Sequence, residues 1–412
     1  MTRTGFACSA RLPLLLLTTL PAAAIAFAAL TVTTSTPAQA ASFKSCAANV
    51  KASVIKSGVS KKVARKAFAD VAYDKKVVRF SKAQPEYKTP IWDYIAFLVD
   101  DERIATGRKM MKKHGRTLKA VERAYGVDRY SIAALWGVES NFGQNQGSFF
   151  IPHALTNLIC AGRRAKFWRS ELVEALKLVD RGDLKLKDLY GSWAGAFGQT
   201  QFIPSTYRRL AVDFDRDGRR DLVHSVPDAL GSTANYLKRS GWRKGQPWGY
   251  EVKLPRGYKG PIGRKGKASV ASWSKRGIKK VGGGKLTGSG SAGLIRPAGR
   301  NGPAFLVFKN FDALYSYNLA ESYALAISHL SDRMKGGKAF KTAWPTNDPG
   351  LSRAQRLDLQ HRLNKKGFDV GEPDGKVGPA TRAGIRKAEA SLGLAVTGRP
   401  GMKVYRGLGG KQ

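Results

Sequence analysis

Apolar positions recur along most of this chain at helical intervals, and the breaks in that rhythm divide it. Between 44 and 126, Val54, Ile55, Val63, Phe68, Val71 and Ala72 fall at helix-like spacings, and Ser60 is placed to cap a second helix. Residues 84–87 interrupt the pattern, which resumes at about Ile91 and runs with breaks to Tyr125. A helix over about 129–142 follows, with Asp128 as its N-cap and Gly143 as its stop. The stretch 167–180 is amphipathic, with Leu172, Leu176 and Val179 on one side. Residues 191–205 are rich in Gly, Gln, Ser and aromatics and predict an irregular, site-building loop. Helix returns over 226–240 and 312–335. Residues 252–310 contain no acidic residue, are dense in Gly, Lys and Arg, and hold β-type pieces at 268–273 and 304–308. They predict an insertion of loops and short strands, basic on its exposed side. Residues 344–350 have the Pro, Asn, Asp and Gly of a linker. Beyond it, Leu357, Leu359, Gln360 and Leu363 open a short helix ended by Gly367-Phe368. Residues 374–381 form a turn into a second helix, ended by Gly393-Leu394. The fold class is mainly α, with α+β character from the insertion, plus a small helical C-terminal unit.

The first forty residues stand apart. Arg3 and Arg11 precede an apolar stretch from Leu12 to Leu30, and Ala38-Gln39-Ala40 is a small-residue cleavage site. Residues 1–40 are therefore read as a cleaved secretory signal, the alternative being an uncleaved anchor, and the expected location is the periplasm. No later stretch is long and apolar enough to span a bilayer. The 412 residues carry a net charge of +41, and loss of the signal removes only Arg3 and Arg11 from the charge count. Such a chain is drawn to polyanions. Inside a cell that points to nucleic acid; behind an export signal it points to an anionic envelope polymer or membrane surface, and nucleic acid is not an expected partner. Cys8 leaves with the signal, so Cys46 and Cys160 remain, as a disulfide or as two buried thiols. No His-Glu-x-x-His, Cys-x-x-Cys or His cluster is present, which argues against a zinc enzyme. The mature protein is expected to be a monomer.

Candidate chemistry starts at Glu139. Ile132, Leu135, Trp136 and Glu139 follow the i, i+3, i+4, i+7 pattern of a buried face. A carboxylate on that face must be paired, protonated or used. Burial raises its pKa, and so does the negative end of the helix dipole. A Glu kept protonated near neutral pH is suited to general acid work. The plainer alternative is a partly exposed or salt-bridged Glu. Asp213, Asp215, Asp217, Gly218 and Asp221 have the spacing of EF-hand loop positions 1, 3, 5, 6 and 9. Position 12 is His224, and Asp228, four residues on, is the substitute ligand. The alternative is a solvated acidic turn, with Arg216, Arg219 and Arg220 opposing a cation. Gly288 to Gly293 formally match a dinucleotide fingerprint, yet no helix follows, so a flexible turn is the better reading. Trp168, Trp193, Phe197, Phe202 and Tyr207 offer stacking surface for sugar rings, or ordinary core packing.

Three segments together resemble the membrane-bound lytic murein transglycosylase B family. They are Gly137-Val-Glu139-Ser-Asn-Phe-Gly143; Ser192-Trp-Ala-Gly195-Ala-Phe-Gly198-Gln-Thr-Gln201-Phe-Ile-Pro204-Ser205; and Tyr317-Asn318 with Tyr323. The resemblance covers roughly 45–340 and implies a lysozyme-like catalytic domain over 41–343. It carries the catalytic acid/base onto Glu139 and lines the cleft with Ser192, Gln201, Tyr236, Tyr317, Asn318 and Tyr323. It implies a variant EF-hand loop holding a structural Ca²⁺, no required cofactor, and peptidoglycan glycan strands as substrate. The implied chemistry breaks the MurNAc–GlcNAc β-1,4 bond and closes a 1,6-anhydro ring without water. In it Tyr317 and Asn318 position the N-acetyl group or the glycan, and Ser192 hydrogen-bonds Glu139. A Tyr-Gly pair common before the matched Gln is here Gln199-Thr200. Residues 351–412, after the linker at 344–350, resemble small peptidoglycan-binding domains through the Leu-Gln helix and the Asp-Gly-x-x-Gly-Pro-x-Thr turn. Ala388-Glu389 stand where that family carries Phe-Gln. The competing readings are a water-using muramidase, a non-catalytic wall-binding protein, and, from charge alone, a nucleic-acid binder.

Overall fold

The structure is a computed structural model that describes residues 36–81 and 89–411. The expected export signal falls almost wholly outside these residues, and the break at 84–87 wholly so. Among the described residues no helix is long and apolar enough to cross a membrane.

Local chemistry sets the helix boundaries. Ser60, Asp100, Asp128, Ser225 and Ser352 each accept a hydrogen bond from a first-turn N–H, satisfying donors that the helix leaves open. The Arg129–Ser140 helix ends earlier than its sequence suggests. Asn141 takes the left-handed conformation (φ 50°) and stops it two residues before Gly143. Nor is this helix amphipathic: every residue from Ser131 to Gly137 is buried. It is the central rod of the domain, packed against the Glu321–Met334 and Asp101–Lys113 helices.

Two large cores flank it. One gathers Ile132, Leu135, Trp136, Phe305, Phe311 and Leu325. The other gathers Val54, Leu155, Leu172, Leu176, Phe197 and Phe202 under the Thr36–Lys56, Ile151–Cys160 and Ala165–Asp180 helices. Tyr236 and Tyr317 pack against both. The seam between the cores is therefore lined by two of the tyrosines singled out above. The loop over 191–203 is irregular as expected, tied by short antiparallel bridges from Gly191 to Phe197 and from Phe197 to Phe202.

The basic insertion forms a five-stranded antiparallel sheet, ordered Gly263–Ser269, Ser291–Ile295, Ala304–Val307, Gly249–Lys253, Lys279–Lys280. Its own core includes Trp273, Leu294, Leu306 and Phe308. The glycine run 288–293 leads into a strand, which removes the helix N-terminus a dinucleotide would need. Arg264 and Lys267 both pair with Asp312 in the first turn of the Lys309–Asn318 helix and anchor the sheet.

The C-terminal unit has three helices, Arg353–Lys365, Pro379–Ser391 and Met402–Gly407, around Leu359, Leu363, Ile385 and Tyr405. Gln360 is buried at its centre. Its carbonyl accepts from the N–H groups of Asp374 and Gly375, and its amide donates to Asp374, Thr381 and the Lys376 carbonyl. Glu389 accepts three hydrogen bonds, from Thr397 N–H, Thr397 Oγ1 and Gly398 N–H. Only acceptors are needed there, so a carboxylate serves. The segment 344–350 is not a free tether. Gly350 bridges Gly401, the Pro349 carbonyl accepts from Met402 N–H, and Asp348 pairs with Arg399.

Cys46 and Cys160 form a disulfide that ties the Thr36–Lys56 helix to the Ile151–Cys160 helix across 114 residues of sequence. A cross-link closing so long a loop stabilises chiefly by restricting the unfolded chain. Replacing both cysteines with alanine is expected to lower unfolding free energy by about 2–4 kcal/mol, read by denaturant titration. Reductant should destabilise the wild type by a similar amount and leave the double variant unchanged.

Candidate active site

Glu139 sits in the last turn of the central helix, half-buried at the seam between the cores. One carboxylate oxygen, Oε1, accepts a hydrogen bond from the Tyr323 hydroxyl. Burial pushes the Glu139 pKa up to about 7, against the opposing pull of that hydrogen bond. Among the described residues no second charged group contributes to this shift. The carboxyl therefore exchanges its proton near neutrality, with a hydroxyl beside it rather than a cation.

The chain turns back sharply beyond Glu139. Asn141, Phe142 and Gly143 all have positive φ, of 50°, 60° and 85°. For Phe142 this is a strained conformation. It folds the phenyl ring back over Gly137, where a Cβ would lie 2.6 Å from the ring. It also sets the ring edge-on to Trp136 at 5.5 Å. The same turn is stitched from the loop opposite. Ser140 Oγ donates to the Gln199 carbonyl and accepts from Gly143 N–H (2.8 Å), while Trp136 Nε1 donates to Gln199 Oε1 (3.1 Å). Gln199, seen in the sequence only as a departure from a family pattern, thus holds the floor of the site. The signal that could have found it was a buried indole needing an acceptor.

The tyrosines form a cluster. The rings of Tyr236 and Tyr317 are 4.7 Å apart and those of Tyr317 and Tyr323 6.3 Å apart. Tyr236 donates to the Ser316 carbonyl (2.8 Å) and Tyr317 to the Thr200 carbonyl (2.5 Å). Burial, and then the Glu139 charge, raise the phenol pKa of Tyr317 and of Tyr323, so both stay protonated donors. Asn318 is exposed at the end of its helix, beside Leu319 in the left-handed region. Gln201, also at positive φ (53°), donates to the Gln146 and Gly198 carbonyls and secures the loop.

One expectation is corrected here. Ser192 makes no hydrogen bond to Glu139; its Oγ accepts from Ala196 N–H (3.0 Å) and closes its own turn, and the carboxyl's partner among the described residues is Tyr323. Of the aromatics, Phe197, Phe202 and Tyr207 take the core-packing alternative, all three being buried in the second core. Trp168 and Trp193 remain half-buried.

The acidic loop forms only in part as its spacing suggests. Oxygens of Asp213, Asp215 and Asp217 lie within 4.8 Å of one another, and Gly218 has the positive φ (87°) of a loop apex. These hard carboxylate donors fit a divalent cation. Asp221 and Asp228 lie outside that cluster. Asp228 is fully buried and accepts from the N–H groups of Phe214, Asp215 and Asp221. It shapes the loop backbone and is not free to replace the missing Glu. Asp221 accepts from Val223 and His224 N–H.

The transglycosylase SLT domain family matches residues 42–332, and a putative peptidoglycan binding domain matches 352–408. The chain belongs to the transglycosylase SLT family. The membrane-bound lytic murein transglycosylase B of Escherichia coli K12 is 32% identical over 240 residues, covering 56% of this chain and 64% of that protein's length. SltB3 from Pseudomonas aeruginosa, solved in complex with NAG-anhNAM-pentapeptide, is 40% identical. It covers 89% of this chain and 99% of its own, with a TM-score of 0.72. The E. coli lytic transglycosylase Slt35 in complex with calcium is 26% identical, covers 72% and 93%, and has a TM-score of 0.62.

The Tyr323 hydrogen bond lowers the Glu139 pKa, so removing it should raise that pKa further above 7. Tyr323→Phe is expected to shift the alkaline limb of the kcat/KM profile to higher pH, because the protonated acid persists longer. A profile unmoved in pH would show that Tyr323 does not tune Glu139.

Proposed function

We propose that this protein is a periplasmic lytic transglycosylase that cleaves the MurNAc–GlcNAc β-1,4 bond of peptidoglycan and leaves 1,6-anhydro-MurNAc ends. The carrying observation is a carboxyl that, among the described residues, has a tyrosine hydroxyl and no charged group as its partner, and whose pKa burial pushes up to about 7. Glycosidic cleavage needs a proton on the leaving oxygen and support for an oxocarbenium-like centre. Glu139 gives the proton. Among the described residues no second carboxylate acts on it, and the support is assigned to the muramyl N-acetyl group. Glu139, now a carboxylate, takes the proton of the muramyl C6 hydroxyl as that oxygen closes the anhydro ring. Each half-reaction ends with Glu139 in the form the next one requires. Tyr317 and Asn318 are assigned to the glycan, and Tyr323 to the orientation of the carboxyl. Ser192, Gln201 and Tyr236 shape the cleft through the backbone bonds they make. Export of the chain, and glycan binding by the C-terminal unit, belong to the same reading.

Digestion of purified sacculi should release muropeptides one water lighter than reducing-end products, read by mass. Glu139→Gln should lower the rate by at least about a thousandfold, because an amide cannot donate the proton. Release of reducing ends alone would establish the water-using muramidase in its place. Wild-type stability falls as pH rises from about 4.5, the ordinary carboxyl value, to about 7, because unfolding lets Glu139 ionise. Gln has no such group, so it should raise the melting temperature increasingly over that range, fully above about pH 7, with little effect below about pH 4.

A structural Ca²⁺ belongs to the same proposal. Asp213, Asp215 and Asp217 would hold it, and its contribution would be to neutralise and stiffen the loop that precedes the Val226–Arg239 helix. At about 100 times Kd, calcium should stabilise the fold by about 2.7 kcal/mol, seen as a rise in melting temperature. Asp213→Asn should abolish that rise, and an unchanged melting curve for the wild type would remove the ion from the account.

A further inference from the structure

The C-terminal unit is docked on the catalytic domain through three arginines, and one of them reaches the end of the catalytic helix. Arg399 donates twice to Asp93 (both 2.6 Å), a carboxylate 3% exposed at its side chain. Arg356 lies over the Phe97 ring at 4.4 Å and donates to the Asp93 carbonyl. Arg353 differs from both. Its backbone N–H and Nε donate to Asp100 Oδ2 (3.2 and 2.9 Å), and one terminal nitrogen donates to Asp100 Oδ1 (3.2 Å). Its other terminal nitrogen donates to Asn141 Oδ1 at 2.9 Å.

Both partners hold strategic places. Asp100 is the N-cap of the Asp101–Lys113 helix, which packs on the central helix. Asn141 is the left-handed residue that ends the central helix, two positions after Glu139. The planar guanidinium spans the two with one rigid fork, which a lysine ammonium on a flexible stem does not reproduce. A positive charge at this helix C-terminus also complements the dipole. The second domain thus supplies the clamp that fixes where the catalytic helix stops. It does so without touching the carboxyl or placing a cation against it.

We propose that Arg353 is a positioning residue for Glu139, acting through Asn141, so that docking of the C-terminal unit completes the geometry of the acid. This rests on the reading of Glu139 as the acid/base. A misplacement of the acid by even a fraction of an ångström is felt in the chemical step more than in substrate affinity.

The test uses the full chain and a soluble tetrasaccharide of alternating GlcNAc and MurNAc carrying stem peptides. Arg353→Ala should lower kcat about tenfold with KM changed by less than about twofold. Asn141→Gly keeps a residue at ease with positive φ but removes the accepting carbonyl, and should have the same effect. The double variant should lose no more than either single one, since both break one contact. Arg353→Lys should recover melting temperature but not kcat. Arg399→Ala weakens docking without touching Asn141; it should lower melting temperature as much as Arg353→Ala while kcat falls far less. The proposal is overturned if Arg353→Ala keeps kcat within about twofold of wild type, if the two single losses multiply, or if kcat follows melting temperature across all variants. Glu139→Gln in each background separates the two readings. Turnover by that variant sinks the acid/base assignment itself, whatever the Arg353 variants do.

Discussion

The constraint on which this structure depends is keeping one carboxyl largely out of water at the negative end of a helix. Nothing in the side chain of Glu139 raises its pKa toward neutrality; its surroundings do. Burial disfavours its charged form, and one tyrosine hydroxyl moderates that effect without a net charge. Such a balance survives only if the cavity wall neither moves nor admits water. The central helix is accordingly buried from Ser131 to Gly137, and it is closed by two successive non-glycine residues at positive φ. That conformation costs free energy of order 1–3 kcal/mol per residue, and the packing of Phe142 against Gly137 and Trp136 holds it in place.

The seam between two cores explains why tyrosine recurs around the site. A phenol offers an apolar ring to each core and a hydroxyl to whatever polar group lies at the join. Two such rings, Tyr236 and Tyr317, line the seam, a third, Tyr323, lies in the first core beside them, and each makes a different bond. Tyr236 ties it to the Ser316 carbonyl, Tyr317 crosses it to the Thr200 carbonyl, and Tyr323 alone meets the carboxylate. The first two tie elements of the seam to one another beside Glu139.

Local chemistry was legible in the sequence; long-range pairing was not. The caps at Ser60 and Asp128, the irregular loop after Gly191 and the stranded insertion all followed from spacing and residue type. So did the alignment of Glu139 with the buried face, although the helix proves to be buried all round. Where the structure departs from the reading, the cause is a group satisfied by a partner other than the one its spacing suggests. Asp228 has the right spacing for a ligand, yet three backbone N–H groups claim it. Ser192 closes its own turn, and Asp348 with Pro349 turns a linker-like composition into a docked segment through Arg399 and Met402. Composition reports what a side chain can bond, not which of several competitors is nearest.

The charge of the chain sharpens what is unusual about Glu139. With 71 Lys and Arg against 30 Asp and Glu, acids are scarce, and several are drawn inward as structural acceptors. Buried Asp93 and Asp100 take arginines from the second domain, Glu171 accepts from Ser205 N–H, and Asp228 and Glu389 each gather backbone N–H groups. A buried carboxylate here is thus commonly met by a cation or by amides. Among the described residues Glu139 is met by neither. In so basic a protein a guanidinium within a few ångströms would hold the carboxyl ionised and remove the acid role proposed for it. The contact at Asn141 avoids this: Arg353 spends its charge on Asp100 and reaches the central helix only through a neutral amide.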